Sequence, residues 1–350
     1  MNTDTHALDW ARLQQPLSRR FESAALLALS GRIHDQTAFD RGLARLSAAL
    51  PVQGVDCNTA PFQRFAADDA QRQQSLDGIC NPGGGLAVQG SQDTNEAQSV
   101  KGSQLLLGVR GGYGITRLLQ RAPLADIAKR MVQTRSVLCG HSDFTALHLA
   151  LMAVCLRNNL QVPLMLQGPM LCIDWGAEPA VERTFSDFMR MLNTGDPAEV
   201  CVADGLNPLA QVETDTTLDG LLWGGNLSMI CALIGTPYMP AVEGGLLFIE
   251  DVNEHPYRIE RMLLQLHQAG ILGQQKALIV GECSDWKPSP LDHGYGLEDA
   301  LEHISQVSGV PIFTGLRFGH IADKTCLPVG QPARLSQLKN GRASLYVNPV

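Results

Sequence analysis

The 350-residue chain lacks several features that would place it in a class directly. It has no run of 18 apolar residues, no long basic stretch and no C-x-x-C pair among its nine cysteines. We therefore expect no membrane span, and the scattered cysteines argue against a zinc site or a disulfide framework and suit a reducing cytoplasm. A net charge of −8 and an isoelectric point near 5.6 argue against nucleic acid as a partner. The amino terminus lacks the basic region and apolar core of a signal peptide, which again predicts a cytoplasmic protein.

Apolar residues make up 45% of the chain. At this length, two moderate hydrophobic cores are more usual than one large core. Apolar strands alternate with helical patterns from about residue 21 to residue 172, which predicts βαβ units and a parallel sheet. Short strands and glycine turns follow in the second half. We predict an α/β domain at 1–178, a partly helical linker at 179–197 and a β-rich domain at 198–350.

A serine lies where one predicted strand meets a predicted helix. Residues 137–143 indicate a buried strand that runs into Ser142, and residues 144–156 indicate a helix that is apolar on nearly every side. Such a bend lifts a serine hydroxyl clear of the sheet and leaves the next backbone N–H facing a developing oxyanion. The second glycine of the usual nucleophile motif is replaced by Phe144. Ser142 is therefore either a nucleophile or a serine that caps a buried helix.

Glycines follow the preceding predicted strand, at residues 105–109. The segment Arg110-Gly111-Gly112-Tyr113-Gly114 lets backbone amides approach a ligand closely. Residues 112–117 nearly match the dinucleotide motif G-x-G-x-x-G, but the third glycine and the acidic residue expected after it are absent. A loop that donates an N–H to an oxyanion fits this segment better than a nicotinamide site.

A nucleophilic serine needs a base, and the base needs an acid that orients it. Glu250 ends a predicted strand at 244–251, and a helix is predicted from Pro256 to Gln268. His320 lies in a loop punctuated by glycine and proline, after a predicted strand at 311–315. Loops and strand ends are where catalytic residues concentrate. The same segments also carry the rival candidates Asp251, Glu254, His255 and Asp323. From these residues alone, Glu250 also fits the start of a turn and His320 an ordinary loop histidine.

Five motifs occur in a fixed order along the chain. They are Arg110-Gly111-Gly112-Tyr113-Gly114, Gly140-His141-Ser142-Asp143, Trp223-Gly224-Gly225-Asn226-Leu227, Phe248-Ile249-Glu250-Asp251 and Gly319-His320, the last followed by Leu327-Pro328-Val329-Gly330. Together they resemble the LD-carboxypeptidase family, the serine peptidases of murein recycling, whose relatives include the microcin immunity peptidases. The resemblance extends from about Phe21 to Val347.

The resemblance implies a flavodoxin-like first domain, a smaller β-rich second domain and an active site between them. It implies a catalytic triad of Ser142 as nucleophile, His320 as base and Glu250 as orienting acid. No metal or cofactor is required. A metal set of His141, Asp143 and His148 can be drawn, but it follows no H-E-x-x-H pattern.

The resemblance also implies that two backbone amides hold the oxyanion. These are the N–H groups of Gly112 and Asp143, with Gly111 as the alternative to Gly112. One segment departs from the family, because residues 81–103 form a polar stretch rich in Gly, Gln and Ser. We predict that this insertion is a mobile loop that affects substrate access.

The substrate that the resemblance implies is the amide between an L-configured centre and a terminal D-amino acid, as in murein tetrapeptides. A carboxypeptidase must bind a free carboxylate, which favours an arginine or a cluster of amides. The candidates in or beside the motifs are Arg110, Arg258, Arg317 and Asn226, and the residues alone do not decide between them; we predict Asn226 and Arg258 as substrate-binding residues. We further expect a homodimer. The alternative is an immunity-type peptidase that hydrolyses a toxic peptide–nucleotide amide, in a pocket with aromatic side chains for the base. Aromatic residues are only 5% of the chain, which disfavours that alternative.

Overall fold

The computed structural model describes residues 8–54, 62–80, 102–192, 200–209, 216–338 and 341–347. The predicted mobile insertion at 81–103 lies, up to residue 101, outside the described residues. Within those residues, no helix is both long enough and apolar enough to cross a bilayer.

The described residues form strands and helices in both halves of the chain. The strands are β1 (Ser23–Leu27), β2 (Val52–Gln53), β3 (Gln104–Gly108), β4 (Val137–Cys139), β5 (Met165–Gln167), β6 (Val200–Pro208), β7 (Thr217–Asn226), β8 (Leu246–Val252), β9 (Ala277–Ser284), β10 (Ile312–Thr314), β11 (Leu327–Pro328), β12 (Gln331–Gln337) and β13 (Ala343–Val347). The helices are α1 (Ala11–Arg20), α2 (Gln36–Ser47), α3 (Asp69–Cys80), α4 (Leu124–Thr134), α5 (Phe144–Arg157), α6 (Glu182–Leu192), α7 (Leu227–Ala232), α8 (Pro256–Gln268) and α9 (Leu297–Ser308).

The first sheet has six strands in the order β11-β5-β4-β3-β1-β2. Its five strands from the first half of the chain are parallel, and their order 2-1-3-4-5 is that of flavodoxin-like folds. β11 comes from the second half of the chain and pairs antiparallel with β5. All five residues of β3 are buried, as expected for a parallel strand with helices on both faces.

The second sheet closes into a barrel in the order β10-β6-β13-β12-β7-β8-β9. Strands β7 to β10 are parallel, because a helix connects each of them to the next, and the other pairs are antiparallel. The predicted fold class, a parallel-sheet α/β domain with a β-rich second domain, is confirmed. The boundaries at 178 and 198 stay predictions.

Helix α5 lies between the two sheets. It packs against α4 and β5 on one side and against α7 and β7 on the other, which explains why almost all of its residues are buried and apolar. The predicted helix at 144–156 is thus one residue shorter than the observed helix, and the predicted helix at 256–268 has the observed bounds of α8.

Candidate active site

A cavity of about 360 Å³ opens at the carboxyl ends of the parallel strands. Ser142, Gly112 and His320 line it on one side, and Phe185 and Ile321 contribute to an apolar wall. The order of the sheet reverses between β1 and β3, and in open α/β sheets ligands bind in the crevice at such a reversal. The loops that follow β3, β4 and β5 all reach this cavity.

Ser142 stands on a tight bend between β4 and α5. Its φ angle is +62°, a left-handed conformation that costs a non-glycine residue roughly 1–3 kcal/mol. The bend brings the side chain against the glycine loop after β3, because a Cβ atom on Gly111 would lie only 2.8 Å from Ser142 Oγ. The strain and the closeness of Gly111 fit a serine held for reaction better than a serine that caps a helix.

Phe144 occupies the position at which the usual motif has its second glycine. Its ring fits against two other glycines, since a Cβ atom at Gly108 would lie 2.8 Å from the ring and one at Gly140 would lie 2.9 Å from it. In the usual motif the second glycine leaves room at the bend. Here Gly108 at the end of β3 and Gly140 after β4 leave room for the Phe144 ring. The bend therefore survives the substitution.

Glu250 and His320 form a hydrogen-bonded pair on the barrel side of the cavity. Glu250 Oε2 accepts a hydrogen bond of 2.7 Å from His320 Nδ1, and the carboxylate is fully buried near the end of β8. Burial alone would lower the pKa of His320, but the hydrogen bond and the negative charge of Glu250 outweigh it, so the pKa lies above the ordinary 6.5. With its Nδ1 proton committed to Glu250, the neutral ring carries its lone pair on Nε2.

Asn226 connects this pair to the serine helix. Its side-chain amide donates to Glu250 Oε1 at 3.2 Å, and its backbone N–H donates to Thr145 Oγ1 at 3.0 Å. Thr145 lies in the first turn of α5, three residues after Ser142. A continuous run of hydrogen bonds therefore joins the start of α5 to Glu250 and His320 across the two sheets.

The rival candidates contact other partners than His320, although Asp251 Oδ1 also accepts from the Asn226 amide at 3.2 Å. Asp251 accepts hydrogen bonds of 2.8 Å from both the backbone N–H and the hydroxyl of Ser228 at the start of α7. Of the remaining rivals, Glu254 forms an ion pair with Arg258 and Asp323 one with Arg317. His255 Nε2 is hydrogen-bonded to Asp292 at 3.1 Å. Of the four, none is hydrogen-bonded to His320 in the described structure, so the geometry favours Glu250 as the acid.

The two predicted oxyanion amides lie on loops that Asp143 holds together. The Asp143 carboxylate accepts from Ser30 Oγ at 2.7 Å and from the N–H of Ile115 at 3.0 Å, and burial raises its pKa to about 6. The carbonyl of Gly111 accepts from the N–H of Gly31, so the N–H of Gly112, on the opposite side of the same planar peptide, points away from Gly31. Within the described residues, neither the Gly112 N–H nor the Asp143 N–H has a protein acceptor.

The two predicted substrate-binding residues are not on the cavity wall. Besides its bond to Glu250, Asn226 accepts from the N–H of Met229 and so caps α7. Arg258 lies on the surface of α8, 3.6 Å from Glu254 and hydrogen-bonded to the hydroxyl of Tyr257. Neither residue is thus among those that line the cavity: Asn226 contacts Glu250 and α7, and the Arg258 contacts given above lie on the surface of α8.

The three residues considered for a metal have separate surroundings. His141 Nδ1 is 3.0 Å from the Gly168 carbonyl oxygen, and burial holds its pKa well below 6.5. His148 lies inside α5, where burial lowers its pKa to about 3. The Asp143 carboxylate faces Ser30 and Ile115, as described above. His141 nevertheless belongs to the site, because its ring lies 5.4 Å from the ring of His320.

Several wall residues were missed by the sequence analysis. Phe185 comes from α6, inside the segment predicted as a linker, and stacks edge-on against Trp175. Asp174 forms a buried ion pair with Lys324, which anchors the His320 loop to the first domain. A helical apolar pattern at 182–192 was a usable signal for Phe185, whereas nothing local marked the pairing of residues 150 positions apart.

Comparisons with known proteins agree with this geometry. Residues 87–158 match the LD-carboxypeptidase N-terminal domain, and residues 219–335 match the LD-carboxypeptidase C-terminal domain. A probable murein peptide carboxypeptidase of Bacillus subtilis is 30% identical over 226 residues, which are 65% of this chain and 66% of that protein. The crystal structure of muramoyltetrapeptide carboxypeptidase from Oxalobacter formigenes is 34% identical and covers 93% of this chain and 98% of its own, with a TM-score of 0.74.

A more distant solved structure shares the fold. It is MccF in complex with glutamyl sulfamoyl guanosine, which is 15% identical, covers 93% of this chain and 96% of its own, and has a TM-score of 0.73. At this identity the likeness shows the fold alone. The match of both domains and the 34% identity to a solved relative over almost its whole length carry the assignment: this chain belongs to the LD-carboxypeptidase family.

Proposed function

We propose that this protein is a serine-type LD-carboxypeptidase that releases the terminal D-alanine from murein tetrapeptide during peptidoglycan recycling in the cytoplasm. The observation that carries the proposal is that His320, hydrogen-bonded to the buried Glu250, lines the same cavity as the strained Ser142. Family membership supports a peptidase, and the names of the matched relatives support a murein peptide as substrate.

In the proposed reaction, His320 Nε2 takes the proton of the Ser142 hydroxyl as its oxygen attacks the scissile carbonyl carbon. The N–H groups of Gly112 and Asp143 stabilise the negative oxygen of the tetrahedral intermediate. When the C–N bond breaks, His320 gives its proton to the amine of the leaving D-alanine. Water then hydrolyses the acyl-enzyme by the same steps and restores the Ser142 hydroxyl.

Glu250 takes no proton from His320 in this proposed cycle. Its hydrogen bond fixes the tautomer of His320, and its charge stabilises the imidazolium that forms in each transition state. The strained backbone at Ser142 and the adjacent Gly111 hold the nucleophile in one position, so less orientation has to be achieved during the reaction.

The test uses purified protein and synthetic murein peptides with detection of free D-alanine. We expect one D-alanine from each tetrapeptide, no cleavage of the D-Ala–D-Ala bond of the pentapeptide, insensitivity to EDTA, and no release by Ser142→Ala. The stereochemical preference has a physical basis, since inverting the centre moves the scissile carbonyl, and a misplacement of about 1 Å can cost roughly a hundredfold in rate. Efficient cleavage of pentapeptide, or activity that EDTA removes and zinc restores, would contradict the proposal.

The same assay separates the alternative function. An immunity-type peptidase would cleave aspartyl sulfamoyl adenosine with the same triad and would need rings for the base to stack on. Apart from two histidines, Phe185 is the one aromatic side chain among the described cavity residues. We therefore expect release from the tetrapeptide to be much faster. We also expect a homodimer, which light scattering after gel filtration measures directly.

A further inference from the structure

Arg110 lies at the edge of the candidate active site. It follows β3 and directly precedes Gly111, whose Cα faces the Ser142 side chain. Arg110 is among the residues that line the active-site cavity and also a neighbouring cavity that includes His34 and Glu178. Arg110 therefore borders both cavities, and the next residue in the chain contacts the nucleophile.

One half of the Arg110 guanidinium is held by the protein. Nη1 donates to the carbonyl oxygen of Arg32 at 2.7 Å and to His34 Nδ1 at 2.7 Å. The other edge is formed by Nε and Nη2. Nε is buried and has no hydrogen-bond partner, and among the described residues no acceptor is bonded to Nη2. This edge carries two parallel N–H groups, the arrangement that matches both oxygens of a carboxylate.

The carboxylates that line the same two cavities as Arg110 are engaged with other groups. Asp174 pairs with Lys324. Asp35 accepts from the N–H of Ala38 and caps α2. Glu178 pairs with Arg45 at 2.7 Å. In the described part of the chain, no acidic side chain forms an ion pair with Arg110. The other two candidate arginines differ, since Arg317 pairs with Asp187 and Asp323 and Arg258 pairs with Glu254.

A half-buried cation without a counter-ion is costly, and an incoming anion offsets that cost. Burial lowers the pKa of Arg110, yet an arginine keeps its charge in proteins. The anion that would arrive here is set by the reaction. In a carboxypeptidase substrate the free carboxylate lies one residue beyond the scissile carbonyl, and Arg110 lies one residue before the glycine that contacts Ser142.

We propose that the Nε and Nη2 edge of Arg110 binds the terminal carboxylate of the substrate and so restricts cleavage to the last residue of the peptide. This inference rests on the proposed carboxypeptidase function and specifies the residue that selects a free carboxyl terminus. Arg32 and His34 hold the guanidinium in place from its opposite side.

The test compares two substrates that differ only at the carboxyl terminus: the murein tetrapeptide ending in D-alanine and the same peptide ending in D-alaninamide. The wild type should favour the free acid in kcat/KM by about 10- to 100-fold, the range of a charge-assisted hydrogen-bonded pair. Arg110→Gln should lower kcat/KM for the free acid by the same roughly 10- to 100-fold and leave kcat/KM for the amide at the wild-type value. Arg110→Lys should regain part of the preference, because lysine supplies the charge without the fork. Arg258→Gln is the matched control and should keep the wild-type ratio.

A structural role for Arg110 predicts a different result. If Arg110→Gln lowered both substrates equally, or left the acid unchanged, the inference would be overturned. Binding is measured in parallel by calorimetry in Ser142→Ala, with and without Arg110→Gln. If Arg110→Gln removes the preference for the acid in the Ser142→Ala background, the carboxylate site is supported. Absence of cleavage of either peptide by the wild type would reject the proposed function but not the carboxylate site. Equal binding of acid and amide by Ser142→Ala would reject the carboxylate site.

Discussion

Glu250 and His320 lie 70 residues apart in the chain, and their side chains meet at 2.7 Å. The carboxylate is fully buried, whereas the imidazole reaches the cavity. Glu250 belongs to β8 of the barrel and His320 to the loop that follows β10. The hydrogen bond fixes the orientation of the imidazole and leaves Nε2 on the side of the ring away from Glu250.

Removal of any triad member should stop most turnover while the fold stays intact. We expect Ser142→Ala and His320→Ala each to lower kcat on the order of a thousandfold or more. Their combination should add little, because residues that act as a unit are not additive. Steady-state kinetics on tetrapeptide measure the loss of turnover, and circular dichroism checks that the fold is intact. Additive losses would show that the two residues act separately.

The choice of acid is tested by Glu250→Gln against Glu254→Gln. Both changes remove one carboxylate charge within five positions of the chain, but Glu254 pairs with Arg258 on the surface. We expect a large loss of kcat for Glu250→Gln and nearly wild-type activity for Glu254→Gln. The reverse order would show that the assignment of the acid is wrong.

The pH dependence should report on His320. Its pKa is raised above 6.5 by Glu250 against the opposing effect of burial, and only the neutral ring serves as base. Thus kcat/KM should fall as pH decreases through a value above 6.5, by about tenfold for each pH unit. Glu250→Gln removes the negative charge of Glu250 and keeps an oxygen that can accept from Nδ1, so the pKa of His320 should decrease and the limb of the residual activity should move to lower pH. Asp143 also titrates near 6, and Asp143→Asn should leave the limb in place if His320 causes it.

Asn226 should affect catalysis through Glu250. Asn226→Ala removes both the hydrogen bond to Glu250 and the cap of α7, so we expect kcat to fall by up to roughly a hundredfold and stability to fall by about 1 kcal/mol. Asn226→Ser separates the two effects, since serine caps a helix but is too short to reach Glu250. It should retain stability and still lose activity. If Asn226→Ser were fully active, the bond to Glu250 would have no role in the reaction.

Gly111 should tolerate no side chain. An alanine Cβ there would lie 2.8 Å from Ser142 Oγ and 2.7 Å from its Cβ, so the serine would have to rotate away from its position. We expect Gly111→Ala to lose roughly a hundredfold in kcat/KM with a small change in melting temperature. Gly78→Ala is the control, because nothing lies within 4 Å of its added Cβ in α3. That variant should be fully active and slightly more stable.

The sequence predicted the fold class and the position of Ser142 because both depend on local patterns. A strand, a bend and a helix follow one another within 20 residues, and their periodicity is visible without any tertiary information. The choice between Glu250 and Asp251 was different. Successive residues of a strand face opposite sides, but both faces of β8 are buried, so no alternation of polar and apolar residues shows which carboxylate contacts His320.

Contacts between distant segments could not be predicted from the residues. The segment at 179–197 was interpreted as a linker, yet α6 within it buries Phe185 and Phe188 and completes the cavity. Arg258 was chosen for its place beside a motif, and only the direction of its side chain on α8 excludes it from the cavity. The sequence motifs indicated which segments lie near the active site. The direction of each side chain decides whether the residue lines the cavity.

The short strand β11 joins the second half of the chain to the first sheet, because it pairs with β5. After β10 of the barrel, the chain passes through His320 and Lys324 and then joins the first sheet at the edge of β5. His320 thus lies on a segment that begins at β10 in the barrel and ends at β11 in the first sheet. Moving the two sheets apart would therefore have to break the pairing of β11 with β5 or shift His320 relative to Ser142. An exchange of halves between relatives at residue 198 alone would also disturb this contact. In such a chimera β5 would come from one protein and β11, which pairs with it, from the other.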